Sequence, residues 1–332
     1  MKKILAGMVC GSLMLLSACG SDSSTPSGGE EKEKVVKIGI TQIVEHPSLD
    51  AAREGFIAAL NDAGYEEGKN LKIDYQNAQG DMNNNMTIAQ NLVTNDSDLI
   101  LAIATASAQS VVQSTKDIPI LFTGITDPLG AGLVQSLEKP GANVTGTSDT
   151  HPDAIKNTIA SIKKFIPEAK TVGIIYNDGE ANSVVNVDNA KKALEENGLE
   201  YVLSAISTSS EVKQAAESLV GRADVFYIPK DNTVVSALES VITVANVEKI
   251  PTFVGESDSV KRGTFSSYGF EYHDLGYTTG KMAVDILEGK NPGDIPVGFP
   301  ESLELIVNKQ AAEAQGVEVT EEMLKDAKVV GE

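Results

Sequence analysis

From Val35 onward, short apolar runs alternate with stretches whose apolar residues recur at helical spacing. Val35–Thr41 (VVKIGIT) reads as a buried strand. Leu49–Ala63 reads as an amphipathic helix, with Leu49, Ala52, Phe56, Ala59 and Leu60 on one face and Gly64 as its stop. The alternation continues with strands over Leu71–Asn77, Asp98–Ala104, Ile118–Thr123 and Asn143–Thr147, and helices over Asn83–Thr94 and Ser107–Ser114. Asp127–Leu137 is predicted as a further helix, because Asp-Pro supplies a cap and a first-turn proline.

The theme then restarts. Thr171–Tyr176, Leu199–Ile206, Asp224–Ile228 and Ile250–Val254 read as strands, with helices over Ser183–Asn197, Ser209–Val220 and Thr233–Val247. Strand and helix in strict alternation predict parallel sheets with helices on both faces. The expected fold class is therefore α/β, as two doubly wound parallel-sheet lobes. A long helix over Tyr272–Glu288, a strand over Leu303–Val307 and a short helix over Val319–Ala327 close the chain. This tail is expected to cross between the lobes beside the Thr147–His151 crossing, which makes a multi-strand hinge. The expected lobes are 35–148 plus about 270–300, and 149–269 plus about 301–332.

The N-terminus changes the compartment. Lys2 and Lys3 precede an apolar run from Ile4 to Leu16, too short to span a bilayer permanently. Leu16-Ser17-Ala18-Cys19 then resembles a bacterial lipobox, which makes residues 1–19 a lipoprotein signal peptide and Cys19 the acylated residue. A plain secretory signal with an incidental cysteine is the alternative. Cys10 lies in the leader, and no cysteine follows Cys19, so the exported part carries no thiol to misoxidise. Residues 20–34 are Ser/Gly-rich and then charged, the composition of a flexible tether reaching on the order of 20 Å.

Composition narrows the partners. The 332 residues carry 27 basic and 47 acidic side chains, a formal charge of −20. So acidic a surface repels phosphate backbones, and no nucleic-acid partner is expected. With two Cys, three His and no Trp, the chain has neither a disulfide scaffold nor a zinc-finger pattern. No cofactor or metal is expected. Enzyme signatures are weak: Gly130-Ala131-Gly132 lacks the closing glycine of a dinucleotide loop, and Gly276–Lys281 lies inside a predicted helix. There is no Gly-x-Ser-x-Gly, and Asp81–Asn85 lacks the glycine and glutamate of a calcium loop. His46, His151 and His273 have no pairing motif, although His46 is the best placed to face a cleft.

In open parallel sheets, ligands bind beyond the carboxyl ends of the strands. Those ends are rich in hydroxyls, amides and carboxylates: Thr41-Gln42, Thr105 to Ser107, Thr126-Asp127, Ser148, Asn177 to Ser183, Asp231-Asn232 and Glu256. Helix starts favour an anion and carboxylates favour an ammonium, so the set suits an amino-acid zwitterion. Each residue taken alone is equally an ordinary helix cap.

These residues carry a family resemblance. The chain resembles a substrate-binding lipoprotein of an ABC importer with the type I periplasmic-binding-protein fold, and more narrowly the tryptophan/tyrosine transport subgroup. The matching segments are His46–Asp50 with Gly55-Phe56, Thr105–Gln109, Thr126–Pro128, Tyr176-Asn177 with Glu180–Ser183, Asp231–Val234, and Gly263–Tyr272 followed by Leu275-Gly276. Asp178-Gly179 departs from the pattern. The resemblance implies no catalysis. It implies capture of an aromatic amino acid, above all L-tryptophan but also tyrosine or phenylalanine, for delivery to a permease driven by ATPase subunits, with the receptor lipid-anchored outside the membrane. By position, Thr41, Gln42, Thr105, Ser107, Thr126, Asp127, Ser148, Asn177, Glu180, Asn182, Ser183, Asp231, Asn232, Glu256 and Tyr268 are the implied contacts. Ser107 with its neighbouring amides is expected to hold the carboxylate, and Asp231 the amine. Ile43, Val44, Ile125 and Tyr268 are candidate apolar walls. A branched-chain amino acid or another small polar solute, a surface sensor domain and a hydrolase remain as alternatives.

Overall fold

The computed structural model describes Val35–Gly331. The expected signal peptide, the expected acylation site at Cys19 and the expected 20–34 tether lie outside the described residues.

The first sheet is built from β1 (Val36–Gln42), β2 (Leu71–Asn77), β3 (Leu99–Ile103), β4 (Ile120–Ile125) and β5 (Val144–Ser148), in the order β2-β1-β3-β4-β5 and wholly parallel. Its central strands are apolar without alternation because both faces are covered; every residue of β3 is buried. The helices between these strands are α1 (Pro47–Asp62), α2 (Met82–Thr94) and α3 (Thr105–Ser114). Asp81 caps α2 by accepting from the amides of Asn83 and Asn84.

The Asp127–Leu137 segment is not a helix. Asp127 Oδ1 accepts from the Gly130 amide, Gly132 sits at φ +71°, and the chain closes as successive turns. The cap and proline start a turn that the two glycines cannot propagate, since neither contributes a side chain to bury.

After β5 the chain enters the second lobe with α4 (Ala154–Phe165), followed by β6 (Thr171–Asn177), α5 (Ala181–Glu196), β7 (Glu200–Ile206), α6 (Val212–Leu219) and β8 (Val225–Ile228). Next come α7 (Asn232–Ser236) and α8 (Leu238–Glu248), which replace the single expected helix because the backbone breaks at Ala237. β9 (Thr252–Val254), α9 (Ser257–Arg262) and β10 (Ser266–Gly269) complete this passage. Two hydrophobic clusters lie on opposite faces of the sheet, and the strands feed them alternately. Val225 and Tyr227 point into one, Phe226 and Ile228 into the other. Full burial of each such side chain is worth about 1.5–3 kcal/mol.

The chain then returns to the first lobe as α10 (Tyr272–Leu287), whose Ala283 and Ile286 join the core of the first sheet. It crosses once more into β11 (Glu304–Asn308), α11 (Lys309–Ala314), α12 (Glu321–Leu324) and β12 (Ala327–Val330). The second sheet has the order β12-β11-β10-β9-β8-β6-β7, with β10–β11 its antiparallel pairing. The last expected helix is thus one turn followed by an edge strand. Three segments cross between the sheets, and they are stitched together: Ser148 N donates to Gly298 O, and the Thr147 hydroxyl bonds those of Thr123 and Thr279.

The α1–α10 contact fixes the base of the first lobe. A Cβ at Gly276 would overlap the carbonyl of Ala52, and one at Gly55 the carbonyl of His273. The two helices therefore touch backbone to backbone. The Gly276–Lys281 segment, which superficially mimics a phosphate loop, is a helix-packing surface.

Candidate functional site

Strand ends of the two sheets face each other across a cleft of about 570 Å3. From the first lobe come Ile43 and Val44 after β1, Gln79 to Met82 at the start of α2, and Thr105, Ala106 and Gln109 of α3. From the second come Asn177 to Asn182, Ser207 to Ser209, Asn232, Thr233 and Ser236.

The first turn of α3 is the unusual feature. Its N-cap is Ala104, held at φ +75°, and no side chain caps the helix. With ψ at 158° this is an extended positive-φ conformation that only glycine adopts easily, and for alanine it costs about 1–3 kcal/mol. Thr105 is 3% exposed, and its Oγ1 has no hydrogen-bond partner. The turn is braced from behind: Asn85 Nδ2 donates to Ala106 O and Ser110 Oγ, and Ser107 Oγ donates to Asn85 Oδ1. An uncapped helix start with a spare buried hydroxyl is an anion-binding arrangement.

The opposite wall is acidic at Asp178 and Glu180, with Asp231 buried behind it. Glu180 Oε1 accepts from the amide and hydroxyl of Thr233, and Oε2 from the amide and side chain of Asn232 and from Asn182 Nδ2. Asp231 is 1% exposed, and its carboxylate accepts from the amides of Asn177 (2.5 Å) and Val234 (2.8 Å). Burial, and then the charge of Glu180, push the Asp231 carboxyl up to about 7.

Behind the cleft, towards the hinge, lies a chamber of about 20 Å3, the size of a single water. Asn182 and Asn232 border both spaces; the chamber is also lined by His46, Thr126, Asp149, Lys230, Asp231, Glu256 and Tyr272. Here the lobes touch. His46 Nε2 lies 3.4 Å from Asn232 Oδ1, Asn186 Nδ2 donates to Thr126 Oγ1 (3.2 Å), and Ser48 Oγ donates to Glu256 Oε2 (2.6 Å). Lys230 Nζ donates to the Asp149 carbonyl and carboxylate, and Tyr272 OH to the same carboxylate. Burial outweighs the other influences on His46 and lowers its pKa to about 4, so the ring is neutral.

The structure therefore divides the sequence candidates. Thr105, Asn177, Glu180, Asn182 and Asn232 line the cleft; Thr126, Asn182, Asp231, Asn232 and Glu256 line the inner chamber. Thr41, Gln42, Ser107, Asp127, Ser148, Ser183 and Tyr268 line neither space. Gln42 is tied to Asp50, Arg53 and the Val44 carbonyl, and Ser107 to Asn85. Thr41 is wholly buried in β1, Asp127 holds its own turn, and Ser148 Oγ accepts from the Thr150 amide. Ser183 sits behind Asn182, accepting from its Nδ2. Tyr268 packs on the second-lobe core, and Ile125 on that of the first. Ile43 and Val44 do form an apolar wall, with Met82 and Ala106 beside them. The chamber is also lined by seven residues outside the expected contacts, His46, Leu49, Gly124, Asp149, Lys230, Val235 and Tyr272. Asp149 and Lys230 adjoin the strand ends at Ser148 and Asp231, but nothing local signals that they pair with each other. Among the described residues, no group of three or more His, Cys, Asp or Glu is placed to hold a metal ion, and no helix is long and apolar enough to cross a membrane.

The family model for ABC transporter substrate binding proteins matches residues 37–330. The chain belongs to that family. A "Tyrosine-binding protein" of Clostridioides difficile is 47% identical over 319 residues, covering 94% of this chain and 92% of the relative. Two solved structures are similar to this chain. An ABC domain from Streptococcus pneumonia in complex with L-Trp is 36% identical, with a TM-score of 0.85 over 90% of this chain and 100% of that one. A ligand-free, open substrate-binding protein with adhesive properties from Clostridium difficile is 46% identical, yet its TM-score is 0.67 over 89% and 99%. The more similar sequence is the less similar structure. In the present structure the two lobes are in direct contact.

Proposed function

We propose that this chain is the solute receptor of an ABC importer and captures an aromatic amino acid, tyrosine or tryptophan, between its lobes. The observation that carries this reading is the uncapped start of α3, with the unpartnered Thr105 hydroxyl, opening on a roomy cleft whose far wall is acidic. The α-carboxylate lies at the α3 amides and Thr105, which replaces Ser107 in that role. The ammonium faces the Glu180 and Asp231 side. The side chain lies along Ile43, Val44, Met82 and Ala106.

Magnitudes are consistent with this. A cleft of about 570 Å3 falls within the ~300–1,000 Å3 of small-molecule sites. Burying an aromatic side chain is worth about 4–6 kcal/mol, and each charge-assisted bond about 1.5–3 kcal/mol. Micromolar affinity needs about 8 kcal/mol net of association costs. The names of the tyrosine-binding relative and of the L-Trp complex support the ligand class.

The lipobox and tether support a receptor acylated at Cys19 and held outside the membrane, where it docks on the permease of its importer. Calorimetry of the purified protein against L-Tyr, L-Trp, L-Phe and L-Leu tests the ligand. Heat with an aromatic amino acid is expected; heat with leucine alone would move the reading to branched-chain solutes.

A further inference from the structure

Glu256 stands where a ligand-binding carboxylate is expected, yet its oxygens are already occupied. Oε2 accepts from the amides of Asp258 and Ser259 and from Ser48 Oγ, and Oε1 from the Ser259 hydroxyl. Three of these donors belong to its own helix, α9. The fourth reaches it from the other lobe, across 208 residues of sequence. Ser48 and Glu256 are 1% and 4% exposed. The chamber beside Glu256, at about 20 Å3, admits nothing larger than a water or an ammonium-sized group.

We propose that Ser48 and Glu256 are positioning residues: a lobe-to-lobe latch that sets how long the solute stays, without contacting it. Ser48 sits in the first turn of α1, whose backbone rests directly on that of α10, so it moves as one body with the first lobe. Glu256 is fixed to the second lobe by capping α9. The hydroxyl-to-carboxylate bond between them forms only when the lobes meet. It is buried and charge-assisted, the stronger kind of hydrogen bond. Opening must break it, so its energy enters the dissociation barrier and the closed population, while ligand preference is left to the cleft residues.

The inference rests on the reading that the lobes close on a solute, and its test separates the two. In the full chain, Ser48→Ala is expected to raise the L-tyrosine off-rate roughly tenfold with association unchanged. The order of affinities for L-Tyr, L-Trp and L-Leu stays as in wild type. Small-angle scattering of the ligand-free variant is expected to show a larger radius of gyration than wild type. A folded Ser48→Ala protein with wild-type off-rate and scattering overturns the latch. Glu256→Gln supplies the second arm: a change in the order of ligand affinities would make Glu256 a ligand contact and overturn the proposal. If wild type binds no amino acid, the ligand reading fails, and scattering alone decides the latch: a more open Ser48→Ala supports it, identical curves overturn it.

Discussion

The Lys230 ammonium lies 3.0 Å from the Asp149 carboxylate, with both side chains shut from water where the chain first crosses between sheets. Removing one partner strands a buried charge, at a cost of about 3–5 kcal/mol. Lys230→Met should therefore lower stability by about that amount in urea unfolding. Adding Asp149→Leu should recover part of the loss, because the second change removes the stranded carboxylate.

Gly276 makes a sharper demand. Any side chain there meets the Ala52 carbonyl, and the α1–α10 pair cannot separate without disturbing the core of the first sheet. Gly276→Ala should cost about 1–3 kcal/mol or more, seen as a fall in Tm, even though alanine favours an isolated helix by about 1 kcal/mol.

Thr105 separates binding from folding. Its buried hydroxyl has no partner in the protein, so Thr105→Val should leave Tm unchanged or raise it. Calorimetry should show affinity for the aromatic amino acid falling roughly tenfold, the worth of about one hydrogen bond. Unchanged affinity would move the carboxylate away from α3.

His46 predicts a pH effect. Its folded-state pKa, lowered to about 4 chiefly by burial, lies below the usual 6.5. The unfolded chain therefore binds the proton first, and the contribution of neutral His46 is complete above pH 6.5 and lost as pH falls towards 4. The full effect approaches about 3 kcal/mol. Asp231, raised to about 7, acts in the opposite sense: its folded-state preference for the proton stabilises at low pH and is lost as pH rises to about 7. Subtracting the stability of His46→Gln from that of wild type at each pH should isolate the histidine slope.

Cys19→Ala tests the anchor. The variant should lose incorporation of labelled fatty acid and leave the membrane fraction, while the purified globular part keeps its ligand affinity.

Much of the architecture is legible in the sequence because it rests on local periodicity. The unbroken apolar run Val225–Ile228 already marks a strand covered on both faces, and its backbone pleat feeds Val225 and Phe226 to opposite clusters. The misread segments are those where a local signal met a competing local one, as at Asp127-Pro128 followed by Gly130 and Gly132. Site residues are harder. Glu180 and Asn182 lie on the cleft as expected, whereas Ser107, equally polar and equally placed at a strand end, turns inward to Asn85. Nothing within Thr105–Ser107 distinguishes the hydroxyl that is free from the one that is used.

The sequence by itself determined that this chain forms α/β units with polar strand ends, because side-chain periodicity and strand-end chemistry are properties of neighbours along the chain. Only the tertiary structure decided which of those ends meet: Ser48 with Glu256 and Lys230 with Asp149, while the buried Thr105 hydroxyl is left without a partner. Such pairings depend on how two lobes seat against each other across long sequence separations, and no local pattern encodes that relation.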